Sequence, residues 1–247
     1  MTTMLGAAAS GMVHNQSVLD VVGNNLANVN SPAFKRTRPL HEGAPTPAIP
    51  PEGSRLGVAE TTTDLIFATG AFQRTDDPLH FAIADDTFFR VRDLDGSVVY
   101  TRLGQLSTDA AGNIVAFAGR LLDPPVTLPE GFTSPAIDQF GAITANDETG
   151  TPQQIGQITL VRFANPQGLV ALGDGLYRES ANSGDITEGT PGSAGFAAVN
   201  PGALEGSNVD VAEEFTNMII AQRAYQASLK SFQVGDEMLA LATDLTR

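Results

Sequence analysis

Both ends of the chain carry apolar residues at a seven-residue step, and this pattern limits the possible folds more than any other feature. Toward the C-terminus the step runs through Val211, Met218, Tyr225, Phe232 and Leu239, with Phe215, Gln222 and Leu229 four residues after the first three. An a/d stripe of this kind predicts one helix of roughly 35 residues within Ser207 to Leu245, about 50 Å long at 1.5 Å rise per residue. Asp210-Val211-Ala212-Glu213 reads as its capping box. In that motif the Asp210 carboxylate accepts from the Glu213 amide while the Glu213 side chain reaches back to the amide of Asp210. No proline follows, and Gly235 is the one internal glycine. A helix about three times the usual length needs a partner to cover its stripe.

That partner is expected at the other end. Leu5, Met12, Leu19 and Leu26 are also seven apart, and Ala8, Asn15, Val22 and Val29 sit three residues after each. Asp20 is the single charged side chain in the first 30 residues. A solitary helix so poor in charge would be badly solvated, so burial against other helices is expected. An ordinary two-helix hairpin satisfies the same periodicity. Against it, roughly 170 residues of different character separate the two stretches. That favours termini that pair with each other and then with copies of themselves. The expected assembly interface is Leu5, Met12, Leu19, Leu26 and Val29 at one end. At the other it is Val211, Phe215, Met218, Gln222, Tyr225, Leu229 and Phe232.

The 247 residues suffice for one or two domains. With 14 basic against 28 acidic residues the net charge is −14, which opposes nucleic acid and anionic lipid alike. The absence of cysteine excludes disulfides, thiolate metal sites and cysteine nucleophiles, and suits passage into an oxidising space. No apolar run reaches the ~18 residues of a membrane span. The N-terminus lacks the basic and compact apolar regions of a cleaved secretory signal, so any export is expected to retain it.

Asn30-Ser31-Pro32 is expected to stop the first helix. A basic knot follows at Lys35, Arg36 and Arg38, and then a linker with Pro39, Pro45, Pro47, Pro50 and Pro51. From about Leu56 to Gly202 short apolar runs alternate with turn residues. Phe88–Arg92 and Val98–Arg102, joined through Asp95-Gly96, form a strong hairpin signal. Further strands are expected at Ile114–Phe117, Ile155–Phe163, Leu169–Leu172 and Leu176–Arg178, giving a compact antiparallel β region without crossover helices. A Gly/Ser/Ala-rich stretch from Asn182 to Gly206 returns the chain to the last helix.

No active site is evident, and no catalytic, cofactor-binding or metal-binding residue is assigned. His14, His41 and His80 are far apart in unrelated contexts. Asp93-Leu94-Asp95-Gly96 opens like a calcium loop but lacks its later ligands and closing Glu; a hairpin turn explains it better. Asp76-Asp77 and Asp85-Asp86 are paired carboxylates of the kind used in glycoside hydrolysis, and solvated turns use the same residues far more often.

Residues Leu19 to Arg36, containing Asn24-Asn25-Leu26-Ala27-Asn28, strongly resemble the N-terminal signature of the bacterial flagellar rod and hook proteins. Leu204 to Phe215, containing Ser207-Asn208-Val209, resembles the same family's closing motif, which Met218 to Gln226 extends. Phe88-Phe89, Tyr100-Thr101-Arg102-Leu103-Gly104 and Gly112-Asn113-Ile114 fall where that family has its β-domain hairpins. Two departures stand out. Ala33 occupies a position where the family commonly has glycine, which weighs against a left-handed turn there, and Asp86-Thr87 replace a glycine before Phe88.

The resemblance implies an α+β fold in which long terminal helices pair as a coiled-coil-like stem and the centre is a mainly antiparallel β domain. The expected division is an N-terminal helix at 1–34, a Pro-rich linker at 35–55, the β domain at 56–203 and a C-terminal helix at 204–247. It further implies a structural subunit of the basal-body rod, polymerised into a helical tube that transmits torque from motor to hook. About 250 residues fits the proximal or the distal rod protein of the family better than its shorter subunits or the larger hook protein. The implied partners are copies of itself, other rod and hook subunits and the flagellar export apparatus, with no cofactor, nucleic acid or membrane insertion. A non-flagellar secreted fibre or adhesin with a coiled-coil stem is the alternative, against which the Asn-Asn-Leu-Ala-Asn motif argues. An enzyme is a distant third.

Overall fold

A computed structural model describes residues 2–43 and 58–244 of the chain. It is α+β: helix α1 (Thr2–Ala27) and helix α2 (Val211–Asp244) bracket in sequence a mainly antiparallel β region. The α2 start is the one its sequence encodes. Asp210 Oδ1 accepts from the amides of Ala212 at 2.8 Å and Glu213 at 3.2 Å, satisfying two of the donors that a helix start leaves open. The Glu213 side chain, however, turns to Arg36, whose Nη1 lies 2.6 Å from Oε2. The expected capping box is therefore only half formed, because an ion pair outcompetes a bond to one amide. Helix α1 stops at Ala27, ahead of the proline. Asn28 bonds to the Asn24 carbonyl through both its amide, at 3.2 Å, and its side-chain Nδ2, at 3.0 Å.

The chain divides into two compact units. One comprises residues 1–29, 36–66 and 209–247, the other 30–35 and 67–208. Residues 30–35 and 204–208 thus group with the β unit, and residues 36–66 with the helices, rather than dividing at the expected boundaries of 34, 55 and 203.

In the helical unit, Thr37–Gly43 pairs antiparallel with Val58–Leu65, in register from Thr37 opposite Leu65 to His41 opposite Thr61, with a shift before Gly43. The first part of the expected Pro-rich linker is thus a strand. Pro39 fits there because each strand of a two-stranded ribbon has one edge that asks for no donor. The rest of that linker, residues 44–55, lies outside the described residues.

The β unit centres on Phe88–Arg92, which pairs with Val98–Thr101, Arg120–Leu122 and Leu160–Phe163 in a nine-stranded sheet. Successive residues of a strand point to opposite faces, yet Phe88 and Phe89 are both buried, so this sheet is covered on both sides. Phe89 packs on Phe81 with ring centroids 5.1 Å apart, beside Ile83, Val91, Ile114 and Leu160. On the other face Phe88 meets Phe67, Phe163 and Tyr177 edge-on at 5.4–5.6 Å. The Asp95-Gly96 hairpin is present, with Gly96 at φ 83° and the Ser97 amide donating to Asp95 Oδ1 at 2.8 Å.

Two strand expectations differ. The run Ile155–Phe163 is not one strand. Pro152–Gln157 pairs with Ala142–Asn146 in a three-stranded sheet, while Leu160–Phe163 belongs to the large one, so the chain changes sheets at Ile158-Thr159. The Gly/Ser/Ala-rich return is not a bare connector either. It forms strands at Ile186–Gly189, Asn200–Pro201 and Ala203–Glu205, paired respectively with Leu160–Phe163, Phe81–Ala82 and Phe72–Arg74.

Candidate assembly interface

Within the helical unit α1 and α2 run antiparallel. A Cβ built on Gly235 would lie 2.8 Å from Leu5 Cδ2, one on Gly11 would lie 3.1 Å from Ser228 Oγ, and Asn25 bonds to Glu214. On α2 the contact falls on Glu214, Ala221, Ser228 and Gly235, a seven-residue step of its own made largely of small side chains. Small residues let two backbones approach closely, and Ala221 is buried as a result.

The larger stripe behaves differently. Met218 and Tyr225 are half-buried, as are Leu5, Met12, Leu19, Leu26 and Val29 of the N-terminal set. Val211, Phe215, Gln222, Leu229 and Phe232 are exposed. Ile219 and Ile220, which the stripe did not include, are 58% and 61% exposed, and Phe215 is 48%. One face of α2 therefore closes the pair with α1, while much of its apolar surface is left uncovered within the chain.

The Asn-Asn-Leu-Ala-Asn motif acquires a physical role here. Asn25 is buried; its Nδ2 donates to the Thr37 carbonyl at 2.8 Å and to Glu214 Oε1 at 3.2 Å, and its Oδ1 accepts from the Thr37 amide at 3.0 Å. One amide side chain thus fastens α1 to the following strand and to α2. Burial raises the pKa of Glu214 and Arg36 opposes that rise, with Nη1 at 3.7 Å. Beside this clamp lies a groove of about 450 Å³, lined by apolar Val18, Val22 and Ile220 together with charged Arg36, Arg38 and Glu213.

The β unit holds a second set of family-motif residues. Lys35 Nζ lies 2.6 Å from Glu205 Oε1 and donates to the Ala68 carbonyl at 2.8 Å. Arg102 Nε lies 3.0 Å from Glu205 Oε2, and Arg102 Nη1 donates to the carbonyls of Asp85 and Thr87 at 2.7 and 3.0 Å. The Gly70 amide donates to Glu205 Oε1 at 2.9 Å. All three charged side chains are buried. The sequence does not announce this cluster: Lys35 reads as one of a basic knot, and Glu205 as part of a connector. The departure at Thr87 is accommodated, since Thr87 is buried with its carbonyl on Arg102. Ala33 does adopt the left-handed turn, at φ 55°, against the expectation from its side chain, and its amide donates to the Glu205 carbonyl at 2.7 Å. Asn208 Nδ2 donates to the Ala68 carbonyl at 3.0 Å.

The other residues singled out in the sequence have separate settings. His14 lines the groove, His80 Nδ1 lies 2.9 Å from Thr75 Oγ1, and the His41 side chain lies outside the described residues. Asp85 Oδ2 holds Arg162 Nη2 at 2.8 Å, and Asp93 Oδ1 holds Arg120 Nε at 2.9 Å, so both carboxylates are taken up by ion pairs. No described helix is long and apolar enough to cross a membrane.

The fold and these surfaces define a structural assembly subunit, with paired helical ends and a β body. Comparison with known proteins carries this further. Residues 5–35 match the family described as flagella basal body rod protein, residues 82–145 the flagellar hook protein FlgE/F/G D1 domain, and residues 200–245 the flagellar basal body rod FlgEFG protein C-terminal region. The chain is 37% identical to the flagellar basal-body rod protein FlgG of Borreliella burgdorferi and 37% identical to that of Bacillus subtilis, with the whole of each chain covered in both cases. The flagellar hook protein FlgE of Borreliella burgdorferi is 42% identical over 42% of this chain but only 23% of its own length. The chain belongs to the flagellar basal-body rod protein family.

Proposed function

We propose that this protein is a structural subunit of the flagellar basal-body rod, polymerising into a helical tube that transmits torque from motor to hook. The observation that carries the reading is the uncovered apolar surface of α2 beside a charge-poor α1, in a chain that matches rod proteins from end to end. Apolar surface of that extent, left open on one subunit, suits a contact repeated in every copy. The assembly interface comprises Val211, Phe215, Leu229 and Phe232 together with the half-buried Leu5, Met12, Leu19, Leu26, Val29, Met218 and Tyr225, with Gln222 at its polar margin, and the exposed Ile219 extends it. The paired helices act as a coiled-coil-like stem whose outer faces are completed by neighbours. Partners are further copies, other rod and hook subunits and the flagellar export apparatus, and the subunit reaches the basal body with its N-terminus retained. Match length favours rod over hook, since the hook relative is covered only in small part.

Introducing Phe215→Asp with Ile219→Asp in the full chain tests this. Carboxylates at these exposed positions spare the monomer but would be stranded in a covered interface. The expected result is normal accumulation of the subunit with loss of completed rods and motility. Completed rods in swimming cells would overturn the reading.

A further inference from the structure

We propose that, in the assembly, the Asp20 carboxylate of one copy lies between Arg223 and Lys230 of a second copy. The inference rests on the rod-subunit reading and names the polar contact within its helical surface.

Asp20 is exposed, on the side of α1 turned away from α2, and shares that face with Val13, Gln16, Asn24 and Ala27 at three- and four-residue spacing. It is the one charged residue among them, so a neighbour that covers this face must supply a cation or strand the carboxylate. Arg223 and Lys230 are both exposed on α2, seven residues apart and hence on one face, next to the uncovered Ile219. Among the described residues neither has an ion-pair partner, and nor does Asp20. The other described cations of the helical unit are engaged, Arg36 by Glu213 and Arg38 by Asp64.

The described helix pair does not bring these charges together. The antiparallel register set by Asn25–Glu214 and Gly11–Ser228 brings Asp20 to the level of residues near Ile219, but Asp20, Arg223 and Lys230 all point away from the seam. In a helical array every subunit has the same orientation, so α1 of one copy meets α2 of the next antiparallel, as within the chain, through two different surfaces. Two cations about 10.5 Å apart along α2 offer Asp20 a partner at either of two axial offsets. The exposed Asp236 and Glu237 are the competing anions, toward the end of α2.

The test is charge reversal in the full chain, scored by completed rods in isolated basal bodies. Asp20→Lys alone, and Arg223→Glu with Lys230→Glu, are each expected to lower completed rods at least tenfold. Combining all three is expected to restore them to within twofold of the unaltered protein. Normal assembly of Asp20→Lys, or failure of the combination to restore rods when circular dichroism shows both variants folded, would overturn the proposal. Rescue of the Arg223/Lys230 reversal by Asp236→Lys with Glu237→Lys would also overturn it, leaving the rod reading intact. Normal rods from Phe215→Asp with Ile219→Asp would instead bring down that reading itself.

Discussion

Lys35 Nζ sits 2.6 Å from Glu205 Oε1 with both side chains fully excluded from solvent, although 170 residues separate them in sequence. Glu205 also holds Arg102, so one carboxylate serves two buried cations. Replacing it is therefore expected to be more damaging than replacing Lys35. Glu205→Gln is expected to cost about 3–5 kcal/mol, because two buried cations then lose their anion. Lys35→Met leaves the Arg102–Glu205 pair intact and should cost much less. Urea unfolding of the two variants checks the order, and equal losses would contradict it.

The same lysine makes stability depend on alkaline pH. Burial, and then the adjacent Arg102, pull the Lys35 ammonium down to about 8 from its ordinary 10.5, against the opposing pull of Glu205 and Asp86. A group whose folded pKa lies below its unfolded value binds fewer protons when folded, so stability rises with pH through the window between the two. From pH 8 to 9.5 the gain is about 1.5 kcal/mol. Burial pushes the Tyr100 and Tyr177 hydroxyls up to about 12, so above pH 10, where the unfolded tyrosines ionise, stability falls again. Melting temperature against pH should peak between these limits in the parent protein, and the rise should vanish in Lys35→Met.

Gly104 closes the Tyr-Thr-Arg-Leu-Gly run for a steric reason. A Cβ there would collide with the Phe81 carbonyl oxygen, part of the backbone that donates to Gly104 at 3.0 Å. Gly104→Ala is expected to lose at least 2 kcal/mol, because the obstacle is backbone and cannot swing aside. At Ala33 the balance is closer. A left-handed turn costs a non-glycine residue about 1–2 kcal/mol, while glycine would lose a buried methyl worth about 0.8 and gain unfolded-state entropy. Ala33→Gly should be neutral within about 1 kcal/mol, whereas Ala33→Val should be clearly destabilising. Thermal melts of the three variants test this ranking.

Where the helices meet, size is the constraint. Ala221 is buried in the seam, so Ala221→Leu overpacks it and is expected to cost about 1–3 kcal/mol. Leu229→Ala, on the exposed face, should change the monomer by less than about 1 kcal/mol. Loss of helical signal on heating distinguishes them; similar behaviour would mean that the seam lies elsewhere.

What the sequence disclosed follows how local each signal is. The start of α2 rests on Asp210 and its next three residues, and the 95–96 hairpin on four, so both are legible. The break at Ile158-Thr159 is not, because apolar alternation continues through it and only distant partners decide which sheet each half joins. The Lys35–Glu205–Arg102 cluster is equally non-local: each member sits in a recognisable motif, but nothing in a single motif announces the other two. The seam is encoded as regularly as the large apolar stripe. Glu214, Ala221, Ser228 and Gly235 keep the seven-residue step as well as Met218, Tyr225 and Phe232 do, but large apolar residues signal a core, whereas a close helix pair selects small ones.

A cryo-EM map of isolated basal bodies that resolves the side chains of this subunit tests the helical interface directly. In it α1 and α2 of each copy are expected to form a repeating helical layer, with Phe215 and Ile219 seated against a neighbouring copy. A map in which these side chains face open solvent, with subunits joined only through their β units, would contradict it.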